Sequence, residues 1–289
     1  MSTYADALME VFEIVKQRNL ITEGMIKEIY HHIKHNDADY TTTPGKKLIN
    51  EKTKESVYTP PQTIDEIQLY MRNLERFIND DTLSDLDPLV KMAIIHHQFE
   101  SIHPFGDGNG RAGRVLNILY LVAQGLLNMP ILYLSRYVNQ NKGEYYRQLQ
   151  AVRDTLQWEP WIVFMLKGVE QTADETIKFV RGISDMMLQY KHRIRKKSPE
   201  RLFDLINNLF RHPYTKIEFV VKEVGVSRPT AMSYLNQLID EGILSKLKLG
   251  RENYYINNGL FNFILNAFHS EGDKLADPIN SNMETNDDM

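Results

Sequence analysis

The sequence predicts a mainly α-helical chain in two domains. Three observations predict it. Apolar residues recur at helical spacing through most of the first 190 of the 289 residues. One short run with β-leaning ends, residues 46–58, interrupts them. A polar basic stretch, residues 191–199 (KHRIRKKSP), then separates them from a compact pattern of helix, helix, turn, helix and hairpin.

Each element has a local reason. Residues 4–18 carry helical apolar spacing, and Thr22 caps a second segment over residues 23–34. Thr63 with Glu66 makes a capping box that opens a helix through Ile78. Ser84 and Asp85 precede another helix, with Pro88 in its first turn, running to about Ser101. Residues 111–126 are apolar nearly all round, the mark of a central buried helix. Two more helices fit residues 142–155 and 159–194. Residues 46–58 (KKLINEKTKESVY) read as a β-hairpin stopped by Pro60-Pro61, with a surface loop as the alternative. Beyond the basic stretch, residues 201–211 and 217–224 are helical, and Gly225-Val226 turns the chain. Ser227 caps a third helix to Glu241, and residues 244–249 and 253–256 are strands around Gly250. That order predicts a winged helix-turn-helix. The expected domains are therefore residues 1–190, a linker over 191–199, a second domain over 200–265, and a tail over 270–289.

Composition excludes several classes. With 42% hydrophobic and 25% charged residues the chain is ordinary globular protein, not a disordered one. No cysteine is present, which removes disulfides, thiolate metal sites and cysteine nucleophiles, and suits a cytoplasmic setting. Charges at Asp6, Glu10, Glu13, Lys16 and Arg18 argue against a signal peptide. The longest apolar run, residues 115–122, includes Asn117 and is too short to span a bilayer, so no membrane partner is expected. The net charge is −4, but residues 270–289 hold six acidic residues and one lysine, so the rest is near neutral. We read that tail as a disordered acidic end. Any nucleic-acid site must then be local.

The informative residues run from His103 to Arg114: HPFGDGNGRAGR. Three glycines within five positions (Gly106, Gly108, Gly110) permit close backbone approach to a ligand. The loop ends where the buried helix begins, so free N–H groups and the positive end of a helix dipole face it. Asn109 adds an amide donor. Arg111 and Arg114, three apart, reach phosphate oxygens from one helix face. No Gly-Lys-Ser/Thr follows, so this is not a Walker A loop. Asp107 beside phosphates makes sense if a hard cation such as Mg²⁺ lies between them. His103, at the loop entrance, is the residue type that takes a proton from an attacking hydroxyl near neutral pH. A base, a carboxylate and an anion hole together indicate nucleotidyl or phosphoryl transfer.

His103 to Arg114 resembles the signature of the Fic (Fic/Doc) family, HPFx(D/E)GNGRxxR, without a mismatch. The preceding helices, Val57-Tyr58-Thr59-Pro60-Pro61, Tyr145-Tyr146 and residues 158–168 resemble bacterial members too, over about residues 1–190. The resemblance implies a Fic-type helical bundle with a hairpin flap, and protein AMPylation: transfer of AMP from Mg·ATP to a Tyr, Thr or Ser hydroxyl of a target protein, with release of pyrophosphate. It implies His103 as general base, Asp107 as Mg²⁺ ligand, and Gly108, Asn109, Gly110 and Arg111 as the anion hole. Arg114 would hold the terminal phosphate, Phe105 would anchor the loop, and Tyr145, Tyr146 and Arg153 would flank the nucleoside. Gly110 and Arg114 favour adenylyl transfer over the phosphoryl transfer of the Doc branch. The diphosphate is common to all nucleotides, so the base stays open. Residues Glu55, Ser56, Val57 and Tyr58 correspond to the flap that pairs with an extended target segment. No Ser or Thr is followed at +4 by Glu-Gly or Glu-Asn, so the family's (S/T)xxxE(G/N) inhibitory helix is not recognised in this chain.

The second domain supports a different class of function. Arg228, Thr230 and Asn236 stand on its expected recognition helix and suit base edges. The alternative reading is therefore a DNA-binding regulator whose first domain senses a nucleotide. Winged helices also serve as protein-interaction or dimerisation modules, which leaves a homodimer open.

Overall fold

The computed structural model describes residues 4–34, 39–42, 47–49, 56–195 and 201–268. Its contacts divide the chain into two units, Met1–Thr176 and Ile177–Met289. The first unit opens with α1 (Tyr4–Arg18), α2 (Glu23–Lys34) and a two-stranded antiparallel sheet of β1 (Leu48–Ile49) and β2 (Ser56–Tyr58). It continues with α3 (Ile64–Asn79), a 3₁₀ turn (Asp81–Leu83), α4 (Pro88–Ile102), α5 (Asn109–Ala123), α6 (Leu134–Gln140) and α7 (Lys142–Thr155). Helix α8 (Trp158–Arg195) begins in this unit and contains the division.

The expected capping box at Thr63 and Glu66 forms, with each side chain bonded to the other's backbone N–H. Helix α4 starts later than its sequence suggested. Asp80 caps the 3₁₀ turn, and Asp87, whose carboxylate accepts from Leu89 N, caps α4 one residue before Pro88. The expectation of a central buried helix is met by α5, which packs against α1, α2 and α4. Leu116, Asn117 and Leu119 on it have no exposed surface. It begins at Asn109 rather than 111, because Gly108 serves as its N-cap in the left-handed region at φ 82°. It ends at Ala123 rather than 126, where Gly125 turns left-handed at φ 69°.

Helix α6 was not anticipated. Its seven residues are too few to show a period, and tertiary burial of Leu134, Tyr137 and Val138 forms it. Behind α4 and α5, Trp161 of α8 is fully buried, stacks at 6.0 Å on His96, and donates its indole N–H to Ala93 O at 2.9 Å.

The second unit contains the end of α8 followed by α9 (Arg201–Leu209), β3 (Tyr214–Thr215), α10 (Ile217–Val224), α11 (Arg228–Asp240), β4 (Leu244–Leu249), β5 (Glu252–Asn257) and α12 (Asn258–Phe268). Its sheet is antiparallel in the order β3-β5-β4. Gly225 turns the chain at φ 70° and Ser227 caps α11, as the sequence suggested. Strand β3 and helix α12 are additions. Helix α12 approaches α8 closely: a Cβ at Gly182 would collide with the Phe263 ring, and one at Gly259 with the Tyr190 hydroxyl. Residues 191–195 of the expected linker are the last turn of α8, and the rest of it, like the tail over 270–289, lies outside the described residues.

Trp161 joins α4 to α8 through both its ring and its N–H. Trp161→Ala should lower unfolding free energy by about 3–5 kcal/mol, the usual range for emptying an aromatic core site, read from the urea midpoint.

Candidate active site

The site is built on the connection between α4 and α5. Helix α4 ends when His103 adopts the left-handed conformation (φ 51°), with its N–H bonded to Phe99 O at 2.9 Å. This turns the chain sharply and puts the imidazole at the mouth of the loop. Phe105 follows, fully buried, with its ring stacked on Tyr30 of α2 at 3.7 Å between centroids. The loop is tied a second time where Thr41 N donates to Pro104 O at 3.0 Å.

Asn109 holds the loop in shape. Its side-chain oxygen accepts from Phe105 N at 3.0 Å and its amide donates to Phe105 O at 2.9 Å. The carbonyl oxygen and one of the two amide N–H groups are thus bonded inside the protein, and the residue is buried. The Asn109 side chain is therefore chiefly a loop fastener, where the sequence suggested an amide donor for a ligand. The anion hole narrows at its other members as well. Gly108 N–H bonds the Asp107 carboxylate at 2.6 Å, and Arg111 N–H bonds Gly108 O at 3.1 Å. The N–H groups of Asn109 and Gly110 open the first turn of α5, where no intrahelical acceptor exists for them.

The charged groups are placed around that turn. Asp107 is exposed, and its Oδ2 pairs with Lys34 Nζ of α2 at 2.7 Å. Lys34 and the Gly108 N–H together hold its carboxyl below the usual range. Arg111 is exposed, while Arg114 is half-buried and donates Nε–H to Ser135 Oγ of α6 at 2.8 Å.

The nucleoside candidates divide. Tyr145 is buried; its hydroxyl shares a 2.9 Å hydrogen bond with His96 Nε2, and its ring meets Trp161 at 5.7 Å. It is a core residue here, which corrects the expectation that it lines the nucleotide. Tyr146 is 62% exposed and meets Tyr145 edge-on. Arg153 of α7 donates to Ser101 Oγ at 3.1 Å and to Glu100 O at 3.3 Å, and its guanidinium lies 3.8 Å over the Tyr58 ring. It thus fastens the last flap residue to the end of α4. A cleft of about 500 Å³ adjoins this junction, lined in part by Tyr58, Tyr70, Phe77 and Ser101. Ser56 and Val57 lie on β2, whereas Glu55 lies outside the described residues. In the second unit, Arg228 and Asn236 on α11 are exposed, but the Thr230 hydroxyl is bonded to Ser227 Oγ at 2.8 Å as part of the helix cap.

Sequence reasoning did not single out Tyr30, Lys34, Ser135 or Glu100. None belongs to a contiguous motif. Glu100 stands in the last turn of α4, is 7% exposed, and has its carboxyl pushed up to about 7 by burial, against the pull of Arg114 and Arg153.

Residues 20–121 match the family model described as Fic/DOC family, and residues 186–260 match that of the protein adenylyltransferase SoFic-like C-terminal domain. Residues 20–121 thus match a Fic domain. Similar proteins include protein adenylyltransferase Fic of Drosophila erecta, 31% identical over 141 residues, which are 49% of this chain and 26% of that one. Protein adenylyltransferase fic-1 of Caenorhabditis elegans is 27% identical over 120 residues, 41% of this chain and 22% of that one. The chain therefore spans about a quarter of the length of these relatives. Among solved structures, a Fic family protein from Desulfovibrio desulfuricans G20 aligns with a TM-score of 0.48 at 19% identity, over 86% of this chain and 72% of that one.

The raised carboxyl of Glu100 fixes the sign of a pH effect. The folded state holds a proton there that the unfolded chain releases near the ordinary glutamate value. The contribution of this group to stability is therefore full below about pH 4.5 and is lost as pH rises to about 7. Wild type should lose up to about 3 kcal/mol across that window relative to Glu100→Gln, measured as the difference between their urea unfolding curves.

Proposed function

We propose that this chain is a protein adenylyltransferase, moving AMP from ATP onto a Tyr, Thr or Ser hydroxyl of a target protein and releasing pyrophosphate. The observation that carries the reading is the α4–α5 connection. It brings together His103, the Asn109 and Gly110 N–H groups at the start of α5, the Asp107 carboxylate and two arginines, on a loop closed by Asn109. The Fic match and the adenylyltransferase relatives support the same reading.

In this mechanism the N–H groups of Asn109 and Gly110 bind phosphate oxygens, and Arg111 and Arg114 bind the distal phosphates as charge-assisted donors. The target hydroxyl oxygen attacks the α-phosphorus in line with the bond to the leaving pyrophosphate. His103 takes the hydroxyl proton as the new P–O bond forms and the bond to the β-phosphate oxygen breaks. The flap strand β2 offers its edge to an extended target segment.

Asp107 suits a divalent cation, since it already holds a cation, the Lys34 ammonium, at 2.7 Å. Among the described residues no group of three or more His, Asp or Glu gathers around one point, so Mg²⁺ would rest on Asp107 and on the phosphates themselves. When bound, Mg²⁺ neutralises charge on the polyphosphate.

The test is transfer of label from α-labelled against γ-labelled ATP to proteins of a cell lysate. Label should move from the α position alone and vanish in EDTA. His103→Ala should reduce transfer by about 10²–10⁴-fold. Arg114→Ala should weaken Mg·ATP binding about tenfold or more by calorimetry, the usual loss for a charge-assisted contact. Transfer from the γ position, or full activity of His103→Ala, overturns the assignment.

A second reading concerns the C-terminal unit. Exposed Arg228, Ser233 and Asn236 on α11, with Lys246, Lys248 and Arg251 on the β4–β5 hairpin, suit a winged helix that docks DNA. Arg228 lies 3.9 Å from Glu218, which tempers its charge. Selected-sequence binding that survives His103→Ala and falls with Arg228→Ala, measured at fixed salt, is the expected result; a partner protein or a second copy of this chain on that face would leave DNA unbound.

A further inference from the structure

Glu100 is a buried acid that the proposed chemistry does not use. It is 7% exposed, and its Oε1 has no hydrogen-bond partner among the described residues. Its place is defined by the glycines of the facing helix. A Cβ on Gly113 would lie 3.1 Å from Glu100 Oε1, and one on Gly110 would lie 3.6 Å from it. The same Cβ on Gly110 would lie 3.1 Å from Arg114 Nη1. Neither glycine has a positive φ, so the backbone conformation does not demand glycine there. They clear space beneath the first turn of α5 for a carboxyl and a guanidinium.

The charged and titratable groups around this acid can be named by element. Arg114 faces it from α5, and Arg153 and Tyr145 face it from α7. His96 lies one turn back on α4, with its ring 3.3 Å from the Cβ position of Gly113, and burial lowers it to about 3. Tyr145 is raised well above its ordinary range by burial. Both are neutral at physiological pH, so the balance lies between one acid and two arginines. An unpaired buried carboxylate costs several kcal/mol, whereas glutamine would fill the same volume without charge. An acid in this place is therefore able to take up and release a proton in response to the charge of Arg114.

We propose that Glu100 is a positioning residue of the phosphate site: its carboxyl, buried under the first turn of α5, sets the charge that Arg114 presents and takes up a proton when a polyphosphate binds. The proposal rests on the reading that this loop binds nucleotide phosphates. Without phosphate, the two guanidinium groups oppose the burial that favours the acid, so the group is a carboxylate only above about pH 7. A bound phosphate neutralises Arg114 and places negative charge nearby, which favours the acid. The step is RCOO⁻ + H⁺ → RCOOH, with solvent buffer as the proton source and no bond to the ligand. The (S/T)xxxE(G/N) pattern is not involved, since His96 stands four residues before Glu100 and Ser101 follows it.

The test is calorimetry of the full chain with Mg·ATP at about pH 8, in two buffers of different ionisation enthalpy, with Glu100→Gln as the isosteric comparison. Wild type should take up a fraction of a proton that the variant does not. Its affinity should fall several-fold more than the variant's between about pH 7 and 8.5, with a ceiling of tenfold per pH unit. The variant reports the titration of ATP itself. Infrared difference spectra of wild type provide a second measurement that needs no variant: added Mg·ATP should produce a protonated carboxyl band at pH 8. Equal proton uptake and equal pH slopes in both proteins, or no such band, overturn the role of Glu100 while nucleotide binding stands. If neither protein binds Mg·ATP, the nucleotide reading fails and this inference falls with it.

Discussion

The two hydrogen bonds between the Asn109 side chain and the Phe105 backbone are the constraint on which the site depends. They close the loop on itself and fix where α5 begins. Because Phe105 is also stacked on Tyr30, the loop is fastened to α2 as well as to its own helix. His103 leaves α4 in a left-handed turn, six residues before the first residue of α5. In the proposed reading, a phosphate entering there meets the Asn109 and Gly110 N–H groups at the open first turn of α5, and little ordering cost remains to be met on binding.

Charge is arranged around this rigid centre in layers. On the solvent side Asp107 is paired with Lys34. On the protein side Arg114 is steered by Ser135, while Glu100 Oε1 has no hydrogen-bond partner among the described residues. A phosphate site needs net positive charge to bind and freedom from excess charge to stay folded, and these demands conflict most where solvent is scarce. In the proposal, an acid that titrates near neutrality meets both, because above about pH 7 it balances Arg114 in the empty site and becomes neutral when phosphate arrives.

Most of the fold was legible because its elements carry local signals. The capping box at Thr63 and Glu66, Pro88 in the first turn of α4, the all-apolar stretch of α5 and the Gly225 turn each act within a few residues. Elements without such signals were not read. Helix α6 and strand β3 are too short to show a period. The run of α8 to Arg195 agrees with the helix expected over residues 159–194, and Tyr190 and Ile194 near its end pack into the core of the second unit.

The candidate site divides in the same way. The sequence by itself determined which groups are present, since His103, Asp107, Asn109, Arg111 and Arg114 fall within twelve contiguous residues whose chemistry has one coherent use. Tertiary structure decided what each group is free to do. It spends the Asn109 amide on Phe105, gives the Gly108 N–H to Asp107, buries Tyr145 against His96 and Trp161, and fastens Arg153 to Tyr58 and Ser101. It also brings Lys34, Ser135 and Glu100 to the loop from other helices. The physical reason is that residue identity fixes a donor, an acceptor or a charge, whereas its availability depends on neighbours that only packing supplies, many of them distant in the chain.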